Sequence, residues 1–435
     1  MTMQEVLEFI IFQLLDKAPV FLALIAFVGL WAQKKSPSQI LDGVIKTVIG
    51  LLIIVIGAQT LLGSMGPIMT TLNQAFGVKG VVPANEAAFA LAMTTMANSI
   101  TMTFVLGFVI HLALVYVIPY KMFKNVYLTA HMMLFLSTFL NLTLPVVMKI
   151  SGTPLLILSS VLCALYWTLT PAIPRVIGRS FLGDDFTLGH HQQVGAALAA
   201  WLGKVFGNKE YDAENLKLPK SIAIFRDNTI SMTILMAAIF LCIGIAAGQP
   251  AIAKIAGKDN WIIWLVLRGF QFTAGIVVLL SGVRMFIGSI VPAFKGISEK
   301  IIPNAVPALD CPTVYPFSPV GAMLGFLSSV AAAILFTLIL LVAGSAIIVF
   351  PSPIIMFFDG CTMGVFGNKY GGWRGAVAAG SISSFLAHWG CLVIYPLMGP
   401  VYGSGLMFSN IDFTLVWLPL LYLIKFIAPL LGMGV

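Results

Sequence analysis

The chain has 435 residues, 59% of them hydrophobic and only 9% charged, with a mean hydropathy of +1.01. Soluble domains average roughly 25% charged residues, so this composition excludes a soluble globular protein and indicates a polytopic membrane protein. The net charge of +8 sits in particular loops, as the positive-inside rule expects, and forms no basic stripe interleaved with aromatics, which excludes nucleic acid as a partner.

Residues 1–17 are amphipathic, with Glu5, Glu8 and Asp16 among apolar side chains. They show no basic leader followed by a small-residue cleavage site, so no removed signal peptide is expected. Apolar runs at or near the length of about 18 residues that crosses a bilayer follow near 18–31, 44–62, 100–118, 126–147 and 155–170. A polar region, 171–228, comes next, and within it 187–206 predicts a helix that enters the membrane without clearly spanning it. Further apolar runs lie near 229–247, 261–282, 320–342, 376–398 and 413–431. The cysteines at 163, 242, 311, 361 and 391 show no CxxC spacing and read as small apolar residues, with no disulfide or metal site expected.

Each half therefore holds five apolar runs and one weaker stretch. In the first half that stretch is 63–99, with Pro67, Pro83, Asn85 and Glu86. In the second it is 296–317, where Pro303, Pro307, Pro312 and Pro316 surround Asp310. Each proline removes a backbone donor and clashes with the preceding turn, so 296–317 does not continue as helix. Residues 343–372 are a second Gly/Pro-rich stretch. Gly50, Gly57, Gly63, Ser64 and Pro67 recur at one constant offset as Gly275, Gly282, Gly288, Ser289 and Pro292. With a one-residue gap, Val82-Pro83-Ala84-Asn85-Glu86 then matches Val306-Pro307-Ala308-Leu309-Asp310, making Glu86 and Asp310 counterparts.

The expected fold is all-α and polytopic, with about ten or eleven transmembrane helices and re-entrant or broken segments. It forms one integral membrane domain, with 1–171 as a first repeat, 172–228 as a central cytoplasmic region and 229–435 as a second repeat. An odd number of spans per half inverts the copies, the arrangement that places transporter sites between paired broken segments. The bias of basic residues, with Lys34, Lys35, Lys121, Lys124 and those of 171–228 on one side, puts the N-terminus outside and the central region in the cytoplasm.

Polar groups in apolar context are few. Glu86 and Asp310 lie in the matched breaks, His131 within an apolar run, and His190-His191-Gln192-Gln193 at the start of the central amphipathic helix. Irregular backbone at membrane depth persists only where protein or a watery cavity covers it, and an acid beside it marks a functional site. Carboxylates, amides and imidazoles together suit a polyhydroxylated ligand, with Tyr315, Phe317 and Trp373 as apolar faces for it. The plainer readings differ by residue. His131 serves equally well as a helix-packing hydrogen-bonder. Asp359 reads as a cap for a helix or turn near Gly360, His111 and His388 as packing or interfacial residues, and Asp184-Asp185 as a solvated turn. No HExxH spacing and no P-loop is present, so neither that metal chemistry nor ATP binding of that kind is expected.

Four stretches resemble a known family: GHHQQ (189–193), LKLPKSIAIFRDN (216–228), SGVRMFIGSIVPAFKGISEKIIPNAVPALDC (281–311) and MFFDGCTMGVFGNKYGGWRGA (356–376). They look like the membrane component IIC of the bacterial phosphotransferase system, ascorbate type, with the galactitol type a more distant relative. The resemblance implies a homodimeric, multi-pass transporter of the bacterial inner membrane, surrounded by lipid, which moves a sugar, polyol or ascorbate inward. It further implies phosphorylation of that substrate by a IIB partner supplied by IIA, with no cofactor and no phosphorylated or catalytic residue on this chain. Substrate contacts are implied at Asn85, Glu86, His131, His190, His191 and Asp310; Gln192 joins them as a donor by its own chemistry. This chain departs from the ascorbate pattern at Asn85-Glu86, where Thr-Tyr is usual, at Phe135, where Gln is usual, and at His191 in GHHQQ, where GHQQQ is usual. A carboxylate at Glu86 disfavours an anionic ligand, so a neutral sugar or polyol is expected over ascorbate. The rival reading is a proton-coupled secondary transporter of a polyhydroxylated substrate, which would accumulate its substrate unmodified.

Overall fold

The computed structural model describes residues 18–216, 228–302 and 305–431. The amphipathic start at 1–17, most of LKLPKSIAIFRDN and Pro303 lie outside the described residues. The chain begins with α1 (Ala18–Ala32) and the long α2 (Pro37–Phe76), then β1 (Lys79–Pro83) and α3 (Asn85–Val117). After β2 (Asn125–Tyr127) come α4 (Ala130–Met148), α5 (Gly152–Leu169), and the short α6 (Ala172–Ile177) and α7 (Arg179–Leu182). The central region contributes β3 (Thr187–Leu188) and α8 (Gln193–Phe206). The second half runs through α9 (Asn228–Ala247), α10 (Gln249–Ala256), α11 (Trp261–Ile301), β4 (Val306–Leu309), α12 (Pro319–Val342), β5 (Ile347–Val349), α13 (Pro353–Ile394), β6 (Leu406–Met407) and α14 (Leu418–Ile427).

Among the described residues seven helices are long and apolar enough to cross a membrane, or eight if the pair bent by 118° at Gly248 is one span. Two of the expected spans, near 18–31 and 413–431, are shorter: α1 has 15 residues and the apolar helix Phe413–Ile427 falls in the 10–17 residue class. Exposed apolar side chains such as Val109 and Val342 stud the spanning helices, as a lipid solvent permits. α2 and α11 cross at small residues. A Cβ added at Gly57 would meet the Leu279 backbone nitrogen at 2.6 Å, so only glycine allows this approach.

The expected breaks are mostly helix: α2 runs through Pro67 to Phe76, α3 takes up at Asn85 and α11 continues past residue 296 to Ile301, so the non-helical backbone is confined to β1, β4 and the other short strands. These pair as two three-stranded parallel sheets, ordered β5-β1-β6 and β2-β4-β3. Pairing satisfies the backbone groups that proline releases from helix, which is the condition for non-helical backbone among spanning helices. β1, from the first half, lies between two strands of the second; β4, from the second, lies between β2 of the first half and β3 of the central region. The Gly/Pro-rich stretch 343–372 breaks only at its two ends, at β5 and at a kink in α13 where Gly371 and Gly372 leave helical values.

Candidate functional site

Because β2, β4 and β3 run parallel, their carboxyl ends open on the same side. Tyr127 of β2 leads through Leu128 and Thr129 into α4, whose second residue is His131. Leu188 of β3 leads to Gly189 and His190; Leu309 of β4 leads directly to Asp310. Residues 306–309 stay extended beside Asn125–Tyr127, with Leu128 N–H donating to Ala308 O at 3.1 Å and Gly189 N–H to Leu309 O at 2.6 Å. Gly189 has no room for a side chain, since a Cβ there would lie 2.5 Å from Ala308 O. That contact sets where His190 emerges.

The three side chains converge. His131 Nε2 lies 3.7 Å from Asp310 Oδ2, and His190 Nε2 3.8 Å from Asp310 Oδ1. Both separations exceed a hydrogen bond, so the groups face a shared space without closing it. One ligand atom from each of the three lies within 4.8 Å of the others, near enough to hold a metal ion as well as a hydroxyl-rich ligand. The Asp310 carboxylate accepts from Cys311 N–H, which fixes it at the start of a 3₁₀ turn. Glu86, in the first turn of α3, is buried, feels the charge of Asp310, and has no protein partner for Oε2. Thr129 Oγ1 and the Nδ1 atoms of His131 and His190 are likewise unpartnered. His190 and His191 lie in the loop outside the spanning helices, and burial pushes both imidazoles down to about 3, His190 against the pull of Asp310. Both are neutral at physiological pH.

The remaining candidate residues serve beside this cluster. Asn85 accepts from Ser409 N–H at 2.7 Å and donates to Asn410 Oδ1 at 2.7 Å. Gln192 donates to Asp359 Oδ1 at 2.6 Å. His191 packs on Tyr166 and Phe413, with ring centroids 5.5 and 4.9 Å away, and both its ring nitrogens lack a protein partner.

Two expectations are corrected. Asp359 is not a cap: it lies buried inside α13 and accepts from Gln192, from Asn410 and from Ile411 N–H. The aromatic faces next to the cluster are Phe135, 5.8 Å from His131, and Phe358, 6.4 Å from His190. Trp373 instead pairs its backbone with Tyr211 O and its ring with Arg374, while the Tyr315 hydroxyl donates to Phe358 O. Sequence reasoning also missed Asp412, which accepts from the Tyr166 hydroxyl at 2.6 Å and from Val194 and Gly195 N–H in the first turn of α8. Its one sequence signal is an acid just ahead of an apolar helix, a pattern that surface caps share. His111 and His388 are packing residues, bonded to Thr168 and Tyr127 N–H and to Ser384 O respectively.

A bundle of membrane-crossing helices that encloses polar side chains at the ends of paired breaks is the build of a membrane permease. The family model for the PTS system sugar-specific permease component matches residues 13–412. The chain belongs to that family of phosphotransferase permeases, and it is a multi-pass protein of the plasma membrane. A curated relative, the "Ascorbate-specific PTS system EIIC component" of Mycoplasma pneumoniae, is 28% identical over 423 residues. That match covers 86% of this chain but 64% of the relative, so the chain spans less than two thirds of that protein's length.

The tight contact at Gly189 gives a direct stability prediction. Gly189→Ala forces the new methyl against a backbone carbonyl and is expected to cost about 1–3 kcal/mol, as overpacking does. Gly66→Ala, where a Cβ meets open space within a helix, is expected to leave the midpoint of thermal unfolding unchanged or slightly higher. Equal midpoints for the two variants would contradict the assigned contact.

Proposed function

We propose that this permease carries a neutral sugar or polyol inward, for phosphorylation by a cytoplasmic IIB protein recharged by IIA. His131, His190, Asp310 and Glu86 contact the substrate; Asn85, His191 and Gln192 shape the space around it. The convergence of His131, His190 and Asp310, ringed by buried polar atoms that lack protein partners, is the observation that carries this reading. Unpaired buried donors and acceptors are costly, and a ligand with several hydroxyls satisfies many at once. A resident metal suits the site less well. Metal-bound histidines donate their second N–H to the protein, and Nδ1 of both histidines has no such acceptor.

Charge argues for a neutral substrate. Two carboxyl groups beside the neutral imidazoles of His190 and His191 offer no fixed cation to an anion such as ascorbate, the substrate in the relative's name. The placing of β1 between β5 and β6, and of β4 between β2 and the central region's β3, supports two inverted repeats, 1–171 and 229–435, joined by the central region. Alternating access then follows from movement of the strand-bearing core against α2 and α11, within a homodimer.

Ligand-dependent thermal shift on the purified protein tests the proposal, comparing ascorbate, galactitol, other pentitols and hexitols, and simple hexoses. A ligand at 100 times its Kd adds about 2.7 kcal/mol to stability. A neutral polyol or sugar is expected to raise the midpoint and ascorbate is not. Stabilisation by ascorbate alone would reverse the charge argument, and accumulation of unmodified substrate that collapses with an uncoupler would favour a proton-coupled transporter. Glu86→Gln removes one carboxylate and is expected to admit ascorbate where the parent protein rejects it. Continued rejection would place specificity elsewhere.

A further inference from the structure

Apart from the substrate cluster, the described residues form a groove with basic side chains in its lining. It measures about 560 Å³ and is lined by Lys121, Met122, Arg175, Val176, Arg179 and Asp184. It lies where two spans stop together, α3 at Val117 and the stretch Gly152–Ile177 at Ile177. The groove is therefore at the edge of the apolar layer. Its surroundings fit that place. Tyr116, Val117, Tyr120 and Val176 are all more than half exposed, and Leu165 and Leu169 continue an exposed apolar track along α5. Tyrosines and basic side chains at the end of a span are the mark of the lipid headgroup level.

The cations have distinct tasks. Lys124 Nζ donates to Val115 and Tyr116 carbonyls and closes the end of α3. Arg175 Nη1 donates to Lys121 O at 2.8 Å and to Asn125 Oδ1 at 2.9 Å, which holds its guanidinium in the groove wall. Arg179 shares its charge with Asp184, the one acid in the lining. Among the described residues the Lys121 side chain has no protein partner. The groove thus presents three cations against one carboxylate, beside exposed apolar surface.

We infer that this groove binds the phosphate headgroup of an anionic phospholipid, with Lys121 and Arg179 as its main contacts and the acyl chains lying on α3 and α5. Arg and Lys are the side chains suited to phosphate oxygens, and basic pockets between spans are where anionic headgroups settle. The continuous exposed apolar track favours a lipid over a soluble acidic protein, which would leave Val117, Leu165 and Leu169 uncovered. The site also reaches the substrate cluster. Arg175 ties the groove to Asn125 of β2, and β2 pairs with β4, whose end carries Asp310. A bound headgroup therefore steadies the strand on which Asp310 depends.

The test compares the full-length protein in phosphatidylcholine nanodiscs with and without phosphatidylglycerol. Phosphatidylglycerol is expected to raise the unfolding midpoint by several degrees, and Lys121→Gln/Arg179→Gln to lose most of that rise while keeping the parent midpoint in phosphatidylcholine alone. Lys258→Gln, an exposed lysine away from the groove, is expected to keep the full rise. Should the double variant unfold early, native mass spectrometry of phosphatidylglycerol retained per protein gives the same comparison, with less retained by the variant. Equal retention or an equal rise in the double variant would overturn the inference and leave the groove to a cytoplasmic protein. A matching rise produced by inorganic phosphate in phosphatidylcholine would overturn it too, by showing an anion site that ignores lipid.

Discussion

Asp310→Asn is expected to weaken substrate binding roughly 10- to 150-fold, the equivalent of one charge-assisted hydrogen bond of about 1.5–3 kcal/mol. The reason is specific to this side chain. Asp310 faces two imidazoles at 3.7 and 3.8 Å and remains 40% exposed in its side chain, so it is the acid of the cluster that a ligand reaches. An amide keeps an acceptor for Cys311 N–H, so the 3₁₀ turn and the fold are expected to persist. It loses the negative charge and one of two acceptor oxygens for hydroxyl donors. The measurement is the apparent Kd from thermal shift at graded ligand concentration, using whichever sugar or polyol stabilises the parent protein. An unchanged Kd, with the parent midpoint in the absence of ligand, would remove Asp310 from the binding site.

Asp412→Ala is expected to destabilise the protein itself, by roughly 3 kcal/mol or more. This carboxylate accepts from three donors on two other elements: the Tyr166 hydroxyl of α5 and the Val194 and Gly195 N–H groups that open α8. Alanine strands the two N–H groups, leaves the Tyr166 hydroxyl with Gln193 Oε1 as its remaining acceptor, and removes a negative charge from the positive end of a helix. Asp412→Asn retains an acceptor oxygen and is expected to fall between the parent and alanine variants. Asp184→Ala, at an exposed surface pair, is expected to shift the midpoint little. If Asp412→Ala unfolds no earlier than Asp184→Ala, the hub described at the start of α8 carries no stability. Because residues 189–192 lead directly into α8, the same variant is also expected to weaken ligand binding.

Much of this was legible in the order of residues. Asp310, Glu86, His131 and His190 stand out because few polar side chains interrupt a chain with only 9% charged residues. The Val-Pro-Ala match pairs Glu86 with Asp310, and each follows the middle strand of a parallel sheet. Asp359 was misread for an equally physical reason. Its neighbours in sequence, Phe358 and Gly360, look like a helix edge, but its partners are Gln192, Asn410 and Ile411, far away along the chain. Asn85 reads from sequence as a ligand contact, yet in the fold it spends its amide on Ser409 and Asn410.

The sequence by itself determined that this chain lives in a membrane and which stretches are apolar enough for a buried or lipid-facing helix. Those are local matters, since hydropathy sums over neighbours; a single proline does not by itself end a helix, as Pro67 within α2 and Pro145 within α4 show. Only the tertiary structure decided how the breaks are repaired. Pairing of β2 with β4 and of β1 with β5 joins residues from opposite halves, and parallel strands need long connections that no short window of sequence contains. That pairing brings His131, His190 and Asp310 to one place. Composition fixes which groups are scarce; the fold decides which of them meet.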